Sequence, residues 1–424
     1  MNRRCSPSPL GEGRGEGRRR FLTHALAIPA VALAGCKLSF EQGIFNDCRS
    51  PRGNPAMSNP RVAAAWEGLR ADRVWDSHAH LFGNGRSGQG LWVNPDFDKP
   101  SSLAAKARRM LFANAGCVGE DESKWDERMI SRLTELVEEF PPGAKVMLLA
   151  FDFVYDESGV RREDLSSFCV PNDYAMKAAQ ANPARFEWIA SVHPYRADAI
   201  EALEQAKAGG ARAVKWLPPS MGIDPASNKC VPLYDALKRL DLPLLVHVGE
   251  EQAVAGAERH EFGNPLRLRH PLGQGVRVIA AHCASLGLSP DIDAKANSDK
   301  ASLVPNFQLF ARLMSERRYE GLLFGDLAAT TQANRAEYLP KLLANREWHA
   351  RLLNGSDYPL PGVMPLFSLS SLVQAGVLPE DAVPAIKQLR DVNSLAFDFV
   401  LKRSLRYQGQ GFANACFETR DFFL

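Results

Sequence analysis

Eight short apolar runs recur along the chain, with helix-like segments between them. The runs span Val74–His78, Lys145–Asp152, Phe186–His193, Ala213–Leu217, Pro243–Val248, Val276–His282, Gly321–Phe324 and Arg351–Asn354. Near-continuous apolar strands that alternate with helices are typical of a parallel sheet whose outer face is covered. Eight such units predict an α/β fold that closes as a (β/α)8 TIM barrel, with a further helix over Pro379–Ser404 packed outside it. An open doubly wound sheet is the alternative, but it requires a glycine-rich phosphate turn after an early strand, and the sequence has none.

The N-terminal region departs from this pattern and predicts export. Residues 1–17 are rich in Arg, Gly, Ser and Pro, so they are either disordered or upstream of the true start. Arg18-Arg19-Arg20-Phe21-Leu22 resembles a twin-arginine signal, and the apolar stretch that follows it is too short to span a bilayer. Leu33-Ala34-Gly35-Cys36 resembles a lipoprotein processing box, with an ordinary secretory signal as the alternative.

These features predict three regions. Residues 1–36 form the export signal with its lipoprotein box, residues 37–60 a flexible tether rich in Asn, Pro, Ser and Gly, and residues 61–424 the barrel. We therefore expect an extracytoplasmic, periplasmic protein that contacts the membrane through a lipid anchor at Cys36.

Charge and cysteine content narrow the function classes. The formal net charge of +2 gives none of the strong basic bias that nucleic-acid binding usually leaves, so we expect no nucleic-acid partner. Eight cysteines in 424 residues do not make a disulfide scaffold, and none forms a Cys-x-x-Cys pair. Five of them can pair outside the cytoplasm, although the sequence fixes no connectivity: Cys48, Cys117, Cys169, Cys230 and Cys416.

Polar residues recur at the C-terminal ends of the predicted strands, where barrel enzymes place their active sites. They are His78 and His80 on strand one, Lys215 on strand four, His247 on strand five, His282 on strand six and Asp357 after strand eight. Because residues i and i+2 of a strand face the same side, His78 and His80 form a chelating pair suited to zinc or a similar divalent ion. Each residue alone has an ordinary structural explanation, but such explanations do not place all six at one rim.

The sequence identifies substrate-contacting residues less specifically than it identifies metal ligands. His193 ends strand three and Trp216 follows Lys215, so both are candidates to touch a small-molecule substrate. His193-Pro194 is equally typical of a structural strand terminator. Glu250 and Glu251 follow strand five and are further candidates to line the pocket.

The ordered set of His78-x-His80, His247, His282 and Gly355-Ser356-Asp357-Tyr358-Pro359 resembles the amidohydrolase superfamily, and within it amidohydrolase family two. The resemblance covers about residues 73–403. It implies that His78, His80 and Asp357 hold a metal ion and that Asp357 is the general base. It also implies that His247 and His282 bind a second ion, or that with one ion His247 is a ligand and His282 a polarising or proton-shuttling group.

Lys215 separates the variants of this resemblance. In binuclear members a carboxylated lysine at this position bridges two metal ions, whereas family-two enzymes often use one ion and lack the bridge. The resemblance therefore implies one or two divalent ions, with zinc as the expected metal and a carboxylated Lys215 in the binuclear variant.

We consider three functions, in order of preference. The first is hydrolysis of an amide, lactone or other ester-like bond by metal-activated water. The second is a decarboxylase or other lyase of the same superfamily, and the third is an inactive binding barrel, which would have lost a ligand or Asp357. Self-association of the chain is also compatible with the sequence.

Overall fold

Eight parallel strands close into a barrel in this computed structural model, which describes residues 38–294 and 302–424. The strands are β1 Trp75–His80, β2 Lys145–Leu149, β3 Phe186–Ile189, β4 Val214–Trp216, β5 Leu244–His247, β6 Val278–Ala281, β7 Leu323–Asp326 and β8 Leu352–Leu353. Neighbours along the chain pair in parallel within β1–β3 and within β4–β8. Parallel bridges from Ala190 to Val214 and from Ala79 to Tyr358 join the two sets. The predicted (β/α)8 barrel is confirmed; six strands are shorter than predicted, whereas β1 extends two residues further, to His80, and β7 is shifted by two residues, to end at Asp326.

Helices lie between and after the strands and cover the barrel. They are α1 Pro60–Trp66, α2 Pro95–Asp98, α3 Leu103–Ala115, α4 Trp125–Glu138, α5 Asn172–Ala181, α6 Ala199–Ala208, α7 Pro218–Met221, α8 Val231–Arg239, α9 Arg269–Gly273, α10 Asn306–Met314, α11 Leu339–Ala344, α12 Leu369–Gln374, α13 Val383–Arg390, α14 Ser394–Ser404 and α15 Arg420–Phe423. Two short antiparallel pairs, Trp92–Val93 with Phe168–Cys169 and Leu288–Pro290 with Leu303–Pro305, lie outside the barrel. Within the described residues, no helix combines the length and apolar character needed to cross a bilayer.

One helix prediction is wrong in extent. The single helix expected over Pro379–Ser404 is two helices, α13 and α14, separated by residues 391–393. Asn393 has an extended backbone, and its side chain accepts a hydrogen bond from the Ala396 amide, as an N-cap does. The apolar spacing continues across this break, which is why periodicity alone joined the two helices.

The barrel interior is apolar at its N-terminal end. Its core includes Trp75, Met147, Leu149, Ile189, Ala213, Leu245, Ile279, Ala281 and Leu353, and Phe423 of α15 packs against it. A larger core lies between the outer faces of the strands and the helices. Because the apolar plug fills only one end, the interior positions nearer the strand C-termini are left for polar side chains.

Residues 38–60 differ from the expected tether, because they lie against the barrel body. Ser39 donates a backbone hydrogen bond to the Pro365 carbonyl, and Cys48 forms a disulfide with Cys117. Cys169, Cys230, Cys283 and Cys416 are buried free thiols. The predicted export signal, the twin-arginine motif and Cys36 lie outside the described residues.

Candidate metal centre

The two-residue period of the strands brings polar side chains into the barrel above the apolar plug. Lys215 follows the interior residue Ala213 by two positions, and His247 follows Leu245 in the same way. Both polar side chains are buried and line one cavity at the C-terminal ends of the strands. This is the end of the barrel at which the sequence predicts the site.

His78 and His80 reach the same cavity through an irregularity in β1. The pairing of β1 with β2 shifts register between Asp76 and Ala79. The shift allows Trp75 to pack in the barrel core while His78, three residues later, also turns toward the interior. The Nε2 atoms of His78 and His80 are 3.2 Å apart.

His282 and Asp357 both depend on a left-handed backbone. His282 has φ of 57° and is followed by two further residues with positive φ, and Asp357 has φ of 61°. Non-glycine residues adopt this conformation at a cost, and such residues cluster at functional sites. Strand alternation alone would point His282 away from Ala281, so the left-handed turn is what directs its ring toward the other histidines.

Two histidines and one carboxylate meet at a single point. Asp357 Oδ1 lies 3.5 Å from His78 Nε2 and 3.4 Å from His80 Nε2, which completes a triangle with the 3.2 Å edge between the two rings. Nitrogen and oxygen ligands about 2.1 Å from a tetrahedral ion are about 3.4 Å apart. The edges of this triangle therefore fit three ligands of one divalent ion, and the donor set is one that zinc accepts.

Asp326 is a carboxylate of the site that the sequence analysis missed. It ends β7, and its Oδ2 lies 2.8 Å from His78 Nδ1 while its Oδ1 accepts the His282 backbone N–H at 2.7 Å. With Nδ1–H donated to Asp326, the lone pair of His78 Nε2 faces His80 and Asp357, which is the tautomer that binds metal. His78, His282 and Asp326 also form a second three-ligand cluster.

Burial sets the protonation of the imidazoles. It lowers the pKa of His78 and of His282, and it lowers that of His247 to about 4, so the three rings are neutral at neutral pH. Burial acts to raise the pKa of Asp357, but His282, His78 and a hydrogen bond from His80 hold it well below its ordinary value. Neutral rings and an ionised carboxylate are the forms that ligate a cation.

Lys215 lies against the ligand triangle. Its Nζ is 3.2 Å from His78 Nε2, and the side chain is fully buried. Burial lowers the pKa of Lys215, while the nearby Asp326 and Asp357 act to raise it. If the Lys215 amine were carboxylated, the carbamate oxygens would lie beside the ligand triangle, where a ligand that bridges two ions is needed.

His247 and Glu251 form the edge of the centre. The His247 and His282 rings are 5.1 Å apart, and His247 Nε2 lies 3.3 Å from Glu251 Oε2. Glu251 lines the cavity as expected, held by the backbone N–H groups of Ala253 and Val254. The Glu250 side chain instead pairs with Gln252, and its carbonyl is what lies near His247. Neither three-ligand cluster includes His247.

Two predicted substrate contacts do not reach the cavity. His193 is fully buried, its Nε2 lies 3.0 Å from the Met221 carbonyl and its Nδ1 accepts the Tyr195 N–H, so both ring nitrogens have structural partners. Trp216 is also fully buried, and its indole N–H donates to the Val192 carbonyl. Because Lys215 faces the interior, its neighbour Trp216 must face the outer helices.

The Asp357 turn is fixed from behind. Asp76 Oδ1 accepts the backbone N–H of both His78 and Ser356, and so ties the two ligand-bearing segments together. A Cβ at Gly355 would lie 2.7 Å from the His78 Cβ, so only glycine permits this approach. The Gly355 carbonyl accepts a hydrogen bond from Lys402 Nζ, which is fully buried and also pairs with Asp398.

The cavity has two unlike sides. The metal-facing side carries His80, Lys215, His247, His282 and Asp357, with Glu251 and Arg335 beside them. The rest of the lining is mostly apolar and includes Phe82, Phe97, Leu111, Phe112, Phe168 and Leu360, with Arg108 of α3 among them. A substrate in this cavity therefore places a polar reacting group at the histidines and an apolar group against the aromatic wall.

A family model decides the assignment. The model Amidohydro_2, described as Amidohydrolase, matches residues 75–386, more than half of the chain. The chain belongs to this amidohydrolase family. The family includes hydrolases and decarboxylases, and the protein is accordingly a metal-dependent enzyme. No curated protein sequence gave a match.

Solved structures match this chain at low sequence identity and with TM-scores below 0.5. An uncharacterized TIM-barrel protein from Bordetella bronchiseptica aligns at 15% identity and a TM-score of 0.45, covering 77% of this chain and 99% of that one. A proposed 2-pyrone-4,6-dicarboxylic acid hydrolase from Acinetobacter baumannii aligns at 15% and 0.40, covering 78% and 97%. A 5-carboxyvanillate decarboxylase from Novosphingobium aromaticivorans, solved with bound manganese, aligns at 11% and 0.39, covering 86% and 97%.

Proposed function

We propose that this amidohydrolase cleaves an amide, lactone or other ester-like bond by hydrolysis, with zinc as its metal. The observation that carries the proposal is the triangle of His78, His80 and Asp357, whose edges fit one divalent ion and whose open side faces the cavity. A divalent ion bound there polarises a substrate carbonyl and makes a water molecule more acidic.

The chain's own residues supply the proton transfers. Asp357 is ionised, so it accepts a proton from the attacking water and later gives it to the leaving nitrogen or oxygen. His282 Nδ1 lies 3.0 Å from the Ala328 carbonyl, and as the donor of this bond it leaves its Nε2 lone pair available as a ligand or proton acceptor. During these proton transfers, Asp326 holds the His78 ring and the His282 backbone in place by accepting a hydrogen bond from each.

Lys215 determines how many ions the centre holds. A carboxylated Lys215 adds an anionic oxygen donor beside His78, and with His247 and His282 it completes a second site. An unmodified Lys215 leaves a single ion. The mass of the intact chain, measured with and without bicarbonate, distinguishes the two forms.

A metal-dependent decarboxylase is the second candidate. It is favoured by the close approach of the Lys215 amine to His78 Nε2, which in the unmodified form suits a single-ion centre. An aromatic acid on the apolar wall would then lose carbon dioxide at the metal-facing side.

The test compares products on a panel of esters, lactones, amides and aromatic acids. We expect hydrolytic turnover that a chelator removes and added zinc or manganese restores. Release of carbon dioxide without hydrolysis would replace the first candidate by the second. A chelator-treated protein that keeps full turnover would overturn both.

We also propose that the protein is exported to the periplasm and carries a lipid at Cys36. The Cys48–Cys117 disulfide supports an oxidising compartment, because such bonds persist outside the cytoplasm. Mass spectrometry of the N-terminal peptide from the membrane fraction tests the lipid. A soluble mature chain cleaved elsewhere would contradict it.

A further inference from the structure

Two of the segments that build the apolar wall of the cavity lie outside the barrel strands and contact each other. Helix α3 contributes Leu111 and Phe112, and the loop of residues 359–368 contributes Leu360, Val363 and Leu366. The two segments touch directly, since a Cβ at Gly362 would lie 2.6 Å from the Ala115 carbonyl. Loops of this kind hold their shape only when other contacts restrain them.

A strap, which we define as residues 38–49, attaches to the end of α3. Cys48 is joined by a disulfide to Cys117, two residues beyond the helix. The Asn46 backbone N–H donates to Asn114 Oδ1 at 2.8 Å, and Asn114 Nδ2 returns a bond of 2.9 Å to the Asn46 carbonyl. The strap is thus held to α3 by one covalent and two reciprocal polar links.

The other end of the strap attaches to the second segment. Ser39 donates its backbone N–H to the Pro365 carbonyl at 2.9 Å. The Glu41 carboxylate accepts the Leu369 N–H and the Ser370 hydroxyl, each at 2.5 Å. These bonds connect the strap to both ends of the stretch that carries Leu366.

A buried arginine joins the middle of the strap to the same loop. Arg390 is fully buried; one of its terminal nitrogens donates to Gln42 Oε1 and the other to the Met364 carbonyl at 2.7 Å. The Arg390 carbonyl accepts a bond from Asn46 Nδ2. The strap therefore spans the back of the wall, and its residues precede the region matched by the family model.

We propose that the strap is a specificity-determining element that holds α3 and the 359–368 loop at a fixed separation, and so sets the affinity for the apolar part of the substrate. This inference rests on the proposed function, because it takes the cavity as the substrate site. The ligand chemistry it selects is an aryl or alkyl group next to the reacting carbonyl. The links described above run from the strap to α3, to the loop and to Arg390, so we expect release of the strap to change substrate binding and to leave metal binding unchanged.

The experiment uses the metal-loaded full chain and two variants that release the strap at opposite ends. Cys48→Ser/Cys117→Ser removes the covalent link to α3, and Glu41→Ala removes the carboxylate bonds to Leu369 and Ser370 at the end of the loop. Hydrogen exchange should quicken about tenfold over residues 103–115 in the first variant and over residues 360–371 in the second. Residues 244–247 and 278–281 should be unchanged in both. Cys230→Ser, which alters a buried thiol distant from the strap, is the control.

Binding of two carboxylic acids supplies the second readout. The Kd of 4-phenylbutyrate, which carries an apolar group, should rise about fivefold in both variants, while the Kd of acetate and the metal content stay at the parent values. Unchanged exchange in both wall segments, or equal weakening of both acids, would overturn the proposal. Because hydrogen exchange needs no turnover, failure of the hydrolase assignment would be seen separately in the product panel.

Discussion

The two sides of the cavity are built by different means. The metal-facing side projects from strand ends and turns fixed by the barrel, and its ligands are tied together by buried carboxylates such as Asp76 and Asp326. The apolar side includes α3 and the 359–368 loop, which the strap holds from outside. Chemistry therefore resides on the rigid scaffold, whereas selectivity resides on segments whose position is adjustable.

The largest expected effect is on the metal-facing side. Asp357→Asn keeps the size of the side chain but removes the charge that accepts the proton, so kcat should fall by about 10³-fold or more. Steady-state kinetics on the best substrate of the panel measures this. Asp381→Asn, at an exposed carboxylate paired with Arg61, should keep parent activity. Equal kcat in Asp357→Asn and parent would remove the proposed base.

The buried Lys402–Asp398 ion pair, which lies behind the Asp357 turn, should contribute strongly to the stability of the folded chain. Lys402→Met leaves Asp398 buried without its cation, which costs about 3–5 kcal/mol of unfolding free energy. Lys402→Met/Asp398→Leu should recover most of this loss, because no buried charge remains. Urea unfolding measures both variants. A double variant no more stable than the single one would show that the charge pair is not the cause.

Asp326→Asn should weaken the centre by a smaller amount. The amide oxygen still accepts from His78 Nδ1, but the negative charge is lost, so the metal Kd should rise about 10- to 100-fold. Competition with a chromophoric chelator measures the Kd. Asp152→Asn, at a buried carboxylate paired with Arg196, is the matched control and should leave the Kd unchanged. The account of Asp326 fails if both variants bind metal equally well.

On the apolar side the expected effect is smallest. Phe112→Ala removes part of the wall and should raise KM for substrates with an aryl or alkyl group by about tenfold, with kcat nearly unchanged. Phe412→Ala, at a buried phenylalanine outside the cavity, should alter stability without changing KM. A loss of kcat instead of KM in Phe112→Ala would mean that the two sides are not separable.

The same contrast explains what the sequence can predict. Strand alternation and the rule that barrel sites lie at strand C-termini are local and general, so they predicted His78, His80, Lys215, His247, His282 and Asp357 together at one rim. Strand alternation also explains why Trp216 does not line the cavity. Trp216 is next to Lys215, which faces the barrel interior, so its own side chain faces the outer helices.

Other features depend on backbone detail that the sequence pattern does not carry. Asp326 was missed because the predicted seventh strand ended at Phe324, two residues short of it. The signal was present as an aspartate two residues after the apolar run. The left-handed turn at His282 had no comparable signal, and its ring reaches the site only through that turn.

The strap was beyond prediction for a different reason. Its apolar residues Leu38, Ile44 and Phe45 pack against the core, but its hydrogen-bond partners Asn114, Pro365 and Arg390 lie far away in sequence. Long-range pairing of a segment without regular secondary structure leaves no periodic pattern.

The most direct test of the central claim is the metal content of the purified chain, measured by inductively coupled plasma mass spectrometry after equilibration with zinc or manganese. The account predicts about one or two divalent ions per parent chain and loss of the ion in His80→Ala, with both proteins folded by circular dichroism. A folded parent that holds no divalent ion, or a His80→Ala variant that holds as much as the parent, would contradict it.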